Sequence, residues 1–453
     1  MATFFFLFLF ACSGFTSLAQ QKDEKWYLLK LPATISQGDN YLLDSILPLY
    51  HAAKHDSSRL AYLNFLAENL SDENLWPAYN QLMLKLSEKA GDKPFSLKYR
   101  ASAYNNTGLH YADLGDLVNA EKYLLKAIEM EKKQNNLSGI ATGYNNIGML
   151  KQSQGELPEA IAYLIKSKEI QQRTGDQMGL ATALNNIGLL FIQQGNINEA
   201  INYYSEGLRL RENMKDRNGT ATSLLNLGDL YMSQAEYEKA REYFNRSIKL
   251  SEISGDKRIL VTGYNYLAIV EFREKNNDKA EELHLKALKI AEELGNPVVI
   301  GTTLGDLGII FLKRKEYKKA LEYNLRAVQF LENAGDKVSV SDAYENAGLT
   351  YQLLGNIKEA QKYGELAMRS AREVGSPASI KKAADLLCDV YRKQGRYEEA
   401  LEMHELYIQM GDSINNAETL KASMKQQFRY EYEKRAAADS VRVAEEKKVT
   451  SAQ

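Results

Sequence analysis

Five asparagines share one register of a forty-residue period: Asn106, Asn146, Asn186, Asn226 and Asn346. A carboxamide presents a donor and an acceptor side by side, matching the N–H and C=O of one residue in an extended chain. If the helices that carry them stand about 10 Å apart, as packed helices do, a strand rising some 3.3 Å per residue meets an asparagine at about every third residue. Such a column holds backbone, so affinity makes little demand on sequence and specificity falls to side-chain pockets between repeats. The residues leave a structural reading open as well, in which the amides bond neighbouring helices, face water, or were copied with the repeat. Asparagine costs about 0.5 kcal/mol against alanine in a helix, so five at one register ask for a shared reason. A companion series, Asn105, Asn145, Asn185 and Asn265, lies about 100 degrees round the same helices and has the lesser claim.

Other chemistry finds no assembled site. The five histidines, His51, His55, His110, His284 and His404, are scattered, and His404-Glu405 lacks the second histidine of a metalloprotease helix. No glycine-rich phosphate loop or nucleophile elbow occurs, and the carboxylates read as solvated charges on repeat surfaces. The expectation is therefore a non-enzyme with no catalytic residue, metal or cofactor. With 57 basic against 59 acidic residues there is no global field to draw the chain onto nucleic acid or an anionic membrane. The partner expected is a protein or an extended peptide segment, recognised locally; the sequence carries no signal for oligomeric state.

The elements that must position the asparagines are written in the period itself. With position 1 at residues 101, 141, 181, 221, 261, 301, 341 and 381, eight units align without insertion. Position 20 is alanine throughout: Ala120, Ala160, Ala200, Ala240, Ala280, Ala320, Ala360 and Ala400. Position 8 is Gly108, Gly148, Gly188, Gly228, Ala268, Gly308, Gly348 and Cys388. An apolar period near 3.6 runs through the first part of each unit, breaks at position 15 or 16 and resumes from position 17, which predicts two helices per unit. Gly115, Gly155, Gly195, Gly355 and Gly395 mark that break, and Gly175-Asp176, Gly255-Asp256, Gly295-Asn296 and Gly335-Asp336 mark the end of the second helix. Small residues at positions 8 and 20 suit two antiparallel helices crossing closely. The tyrosines at position 23 (Tyr123, Tyr163, Tyr203, Tyr243, Tyr323 and Tyr363) read as core with hydroxyls at the edge, and Cys388 as a small buried side chain.

Tyr or Leu at position 4, Leu or Ile at 7, Gly at 8, an aromatic often at 11 and Ala at 20 resemble the tetratricopeptide repeat. The forty-residue spacing resembles its long-helix variety, found in kinesin light chain, Pins-type adaptors and bacterial Rap proteins. The resemblance covers residues 101 to about 410 and implies an all-α, right-handed superhelical solenoid of antiparallel hairpins. It also implies that first helices line a concave groove, and the five asparagines match the ladder of kinesin light chain and its relatives. The departures are Ala268 and Cys388 for glycine, Lys275 and Lys315 for a turn glycine, and Asn277 for an apolar residue.

The flanks divide the chain further. Residues 1–19 combine a short apolar run, TFFFLFLFA, with Ser17-Leu18-Ala19, which reads as a cleaved secretory signal although no Lys or Arg precedes the run. A rival reading makes Leu9-Phe10-Ala11-Cys12 a lipoprotein box, with Cys12 as a lipid anchor to a membrane, and a third leaves the segment uncleaved as an anchor. Residues 20–100 hold capping helices and a degenerate repeat, residues 101–415 the eight units, and residues 416–453 a charged helix. The order of signal, repeats and charged helix resembles the extracytoplasmic half of bacterial membrane receptors whose output is a histidine kinase, a nucleotide cyclase or a DNA-binding domain. The expectation is an exported, periplasmic or extracellular scaffold holding a peptide in its groove; the alternative is the sensing part of a truncated or split receptor of that type.

Overall fold

The computed structural model describes residues 24–32 and 35–415. The signal segment and the charged stretch from 416 lie outside the described residues. Every regular element among the described residues is an α-helix. The chain divides into two compact units, one ending at Leu150 and the other beginning at Lys151.

In the first unit, helices Gln37–Ala52, Asp56–Asn69 and Leu75–Lys89 form ahead of the repeats. Leu43, Leu47, Leu60, Leu63, Leu66, Tyr79 and Met83 bury together between them. A buried carboxylate ties the ends: Asp39 accepts from Ser71 N and Oγ, both at 2.8 Å, and from Asp72 N at 3.1 Å. Burial alone would raise the Asp39 pKa, but these donors outweigh it and hold the carboxyl below its ordinary range. The hairpin of Pro94–Asp113 and Leu117–Lys133 follows.

In the second unit each forty-residue period is one hairpin. First helices such as Gln177–Gln193, Arg217–Ser233, Lys257–Arg273, Pro297–Lys313, Lys337–Leu353 and Pro377–Lys393 alternate with second helices such as Ile197–Asn213, Tyr237–Ser254, Asn277–Leu294, Tyr317–Ala334 and Ile357–Val374. Each helix packs on the next, and several first helices also touch the first helix of the following hairpin. First helices begin four residues ahead of position 1, because the Asp or Asn after the closing glycine is already the N-cap of the next helix. Gly255 takes φ 74° and closes one helix, while Asp256 Oδ1 accepts from Arg258 N at 3.0 Å and Ile259 N at 3.3 Å and opens the next. Asp176, Asp216, Asn296 and Asp336 cap in the same way.

The small residues sit where backbones approach. Ala120 through Ala360 of position 20 are 0% exposed, and Ala400 is 7%. Position 8 faces position 24 of its own hairpin: a Cβ on Gly108 would lie 2.8 Å from Leu124, on Gly188 2.7 Å from Tyr204 and on Gly228 2.4 Å from Phe244. Glycine there makes room for a large side chain across the hairpin as much as for the helix axis. Position 11 completes the clasp by stacking on the position-23 tyrosine: Phe191 on Tyr203 at 5.3 Å, Tyr231 on Tyr243 at 5.4 Å, Tyr351 on Tyr363 at 5.4 Å. Cys388 is a free, half-buried thiol packed at the edge of the last large core cluster.

Candidate functional site

The asparagine column does not have one environment. In the first unit, Asn106 Nδ2 donates to Asn80 Oδ1 at 3.3 Å and Asn146 Nδ2 donates to Asn105 Oδ1 at 2.7 Å, so these amides already bond neighbouring helices. In the second unit Asn186 is half-buried and has a partner of its own. Asn226 and Asn346 are half-buried, line open clefts, and carry no side-chain hydrogen bond among the described residues.

Two members of the companion series, Asn105 and Asn265, tie helices together, whereas Asn185 Oδ1 is buried without a hydrogen-bond partner among the described residues. Asn265 Nδ2 donates to Thr303 Oγ1 of the next first helix at 2.9 Å, while its Oδ1 lies 3.0 Å from His284 Nδ1. His284 is buried, which pushes its imidazole down to about 4 and keeps it neutral at ordinary pH. A spacing pattern shows that two columns exist; which one meets a neighbouring helix depends on how the hairpins stack.

Two clefts lie between adjacent first helices. The first, about 630 Å³, brings Thr222 and Asn226 together with Thr262 and Tyr266. These are positions 2 and 6 of two successive units, the stripe on which a helical period places them. Arg211, Asp216, Asp256 and Arg258 close its end. Burial lowers the Arg211 pKa and the Asp216 carboxylate opposes that effect. The second cleft, about 200 Å³, joins Thr302 and Asp306 to Asp342 and Asn346, again positions 2 and 6. Burial pushes the Asp306 carboxyl up to about 7, and raises that of Glu345 in the same cleft against the opposing pull of Lys382.

The threonines of position 2 have a defined polarity. Thr182, Thr222, Thr262 and Thr302 each place Oγ1 3.0 to 3.1 Å from the carbonyl four residues back, to which the hydroxyl donates. Their protons are thus engaged within the helix, and their lone pairs can accept an N–H from outside. The asparagines one turn along can donate and accept.

One group of charged residues escaped the sequence reading. Glu271 stands at position 11, where an aromatic is usual, and its side chain is 1% exposed rather than solvated. It accepts from Arg241 Nε of the preceding hairpin at 3.0 Å, from Lys279 Nζ at 2.7 Å and from Asn276 Nδ2 at 2.8 Å. Burial opposes ionisation, yet these donors hold its pKa below the ordinary value. The only available signal was the break in the aromatic column. No group of three metal-ligating side chains, and no helix long and apolar enough to cross a membrane, occurs among the described residues.

Stacked hairpins of one length, closed on alanine and glycine, define a helical-repeat scaffold. Two profiles of the tetratricopeptide repeat match it, one at residues 139–213, 260–333 and 339–412 and the other at 101–134 and 221–253. The chain belongs to the tetratricopeptide repeat family. No curated protein matches it. Among solved structures it is similar to a signal transduction ATPase with numerous domains and a tetratricopeptide repeat sensor from Pyrococcus horikoshii, at 12% identity over 86% of this chain and 68% of that one, TM-score 0.54. It is similar to aspartyl phosphate phosphatase F from Bacillus subtilis at 17% identity over 80% and 96% of the two chains, TM-score 0.53. The apo quorum sensor NprR from B. thuringiensis aligns at 16% identity over 73% and 92%, TM-score 0.50. At such identities the likeness is one of fold.

Proposed function

We propose that this protein is an exported, non-enzymatic scaffold that holds an extended segment of a partner protein across the first helices of its second unit. The observation that carries this reading is the pairing of positions 2 and 6 across the cleft of Thr222, Asn226, Thr262 and Tyr266. Threonine oxygens that can only accept, set beside amides that can do both, complement the alternating N–H and C=O groups of an unpaired strand. Asn226 and Asn346 are the strongest members of the set and Asn186 is carried with them. Asn106 and Asn146 contribute less, because part of their hydrogen-bonding capacity is spent on Asn80 and Asn105.

The test is a peptide-array screen of the purified chain, with Asn226→Ala and Asn186→Ala as variants. Both side chains are half-buried at the helix surface, so the melting curve should stay within about 1 kcal/mol of the parent. Loss of array binding at unchanged stability supports the reading; binding that survives both changes removes it. Export rests on the segment ending at Ala19 and is checked by fractionating cells that express the tagged chain and sequencing the mature N-terminus. A start at Gln20 supports signal cleavage, and a lipidated Cys12 would replace that reading with a tethered one.

A further inference from the structure

The asparagine column is interrupted at Asp306, and the interruption has a shape. Other first helices carry Asn105, Asn145, Asn185 and Asn265 at position 5, whereas here the residue is Gly305, and a Cβ placed on it would meet nothing within 4 Å. The space so opened is the cleft of about 200 Å³, smaller than the roughly 300 to 1,000 Å³ of pockets that take a whole small molecule. It is sized for one side chain. Ile309 and Leu331 give it an apolar wall, and Asp306, Asp342 and Glu345 give it a surplus of carboxylates over the single cation, Lys382. That lysine is already bound to Asp342 at 2.8 Å. Asp306 keeps some residue surface, yet protein encloses its carboxyl closely enough to oppose ionisation strongly. It has no hydrogen bond or ion pair among the described residues. An apolar wall leading to an unpaired, half-buried carboxyl complements a methylene stem that ends in a cation.

We propose that this cleft is a specificity pocket for one lysine or arginine side chain of the segment held along the first helices, with Asp306 and Glu345 as its acceptors. The proposal rests on the peptide-binding reading above. A metal ion suits the cleft poorly, since no three ligating side chains converge among the described residues.

The experiment is a positional-scanning library of extended octapeptides presented to the purified chain, to Asp306→Asn and to Gly305→Asn. Asp306→Asn keeps the side-chain volume, and Gly305→Asn restores the residue that other repeats tolerate at position 5. The parent should select Lys or Arg at one library position, and each variant should bind the selected peptide about tenfold more weakly while keeping its affinity for peptides neutral at that position. Parent affinity for the basic peptide should rise from pH 6 to pH 8 as Asp306 gives up its proton, with Glu345, Asp342 and Lys382 as the other charges lining the pocket and Asp385 acting on Glu345 from outside it. Asp306→Asn should flatten that profile. Selection without a basic preference, or a preference that survives both variants, overturns the pocket and leaves peptide binding standing. If the parent selects no peptide at all, both fall together.

Discussion

The hairpins at 217–254 and 257–294 share a backbone and differ in nearly everything that fills it. In the first, Tyr231 stacks on Tyr243 with rings 7° from parallel, and Gly228 makes room for Phe244. In the second, Glu271 and Leu283 occupy the stacking positions, and Ala268 and His284 the crossing positions. Three donors surround the buried glutamate and an amide meets the imidazole. The comparison teaches that turns and small residues set the hairpin, while its filling can change from aromatic to ionic if each buried polar atom finds a partner. It also changes what the filling connects. A tyrosine stack closes one hairpin on itself, whereas Arg241 reaches Glu271 from the hairpin before.

The largest expected break in this contrast is Glu271→Ala, which removes the buried acceptor shared by Arg241, Lys279 and Asn276, leaves Arg241 only Glu238 and Glu274, and should cost about 3 kcal/mol in urea denaturation. A loss below about 1 kcal/mol would mean the cluster behaves as an exposed ion pair. His284 gives the next largest effect. Its folded pKa, about 4, lies below the ordinary 6.5, so the unfolded chain binds more protons between those values and stability falls as pH drops through that window. The full loss is about 3 kcal/mol, and His284→Phe, copying the neighbouring hairpin, should flatten it. Asp306 works with the opposite sign: its carboxyl, raised from 3.8 to about 7, favours the folded chain more as pH falls through that range. Asp306→Asn should therefore steepen the acid loss between pH 7 and 5, whereas the contribution of Glu271 is lost only below its ordinary 4.5. Gly228→Ala should cost about 2 kcal/mol by pressing on Phe244, while Ala268→Gly in the partner hairpin should cost only about 1 kcal/mol through helix propensity. The smallest effects should be alike in both hairpins. Ala235 and Lys275 hold φ of 57° and 67° at position 15, so replacing either with glycine should raise the melting temperature through a gain of about 0.5 to 1 kcal/mol.

Much of the fold was legible because the repeat copies its constraints. Ala200 and its equivalents mark the crossing in every unit, and the turn glycines mark both breaks. The helix starts lie four residues ahead of position 1, because Asp176 and Asp256, which the turn pattern places at the end of one helix, cap the next. The partner of the position-8 glycine was hidden because position 24 varies from Leu124 to Phe244 to His284. The asparagine columns were visible, but a period says nothing of which amide faces a neighbour, so the bonds of Asn146 to Asn105 and of Asn265 to Thr303 could not be foreseen. Glu271 was missed for a similar reason: its counter-charge Arg241 lies thirty residues away, on another hairpin.

The joint at Gly255 and Asp256 separates helices that end at Ser254 and start at Lys257. It has no slack, because one residue stops a helix and the next starts another. A single residue inserted there would turn the following helix by about 100 degrees and swing Leu267 and Val270 out of the core. The array is therefore phase-locked: it can grow or shrink by whole hairpins, but hardly by single residues.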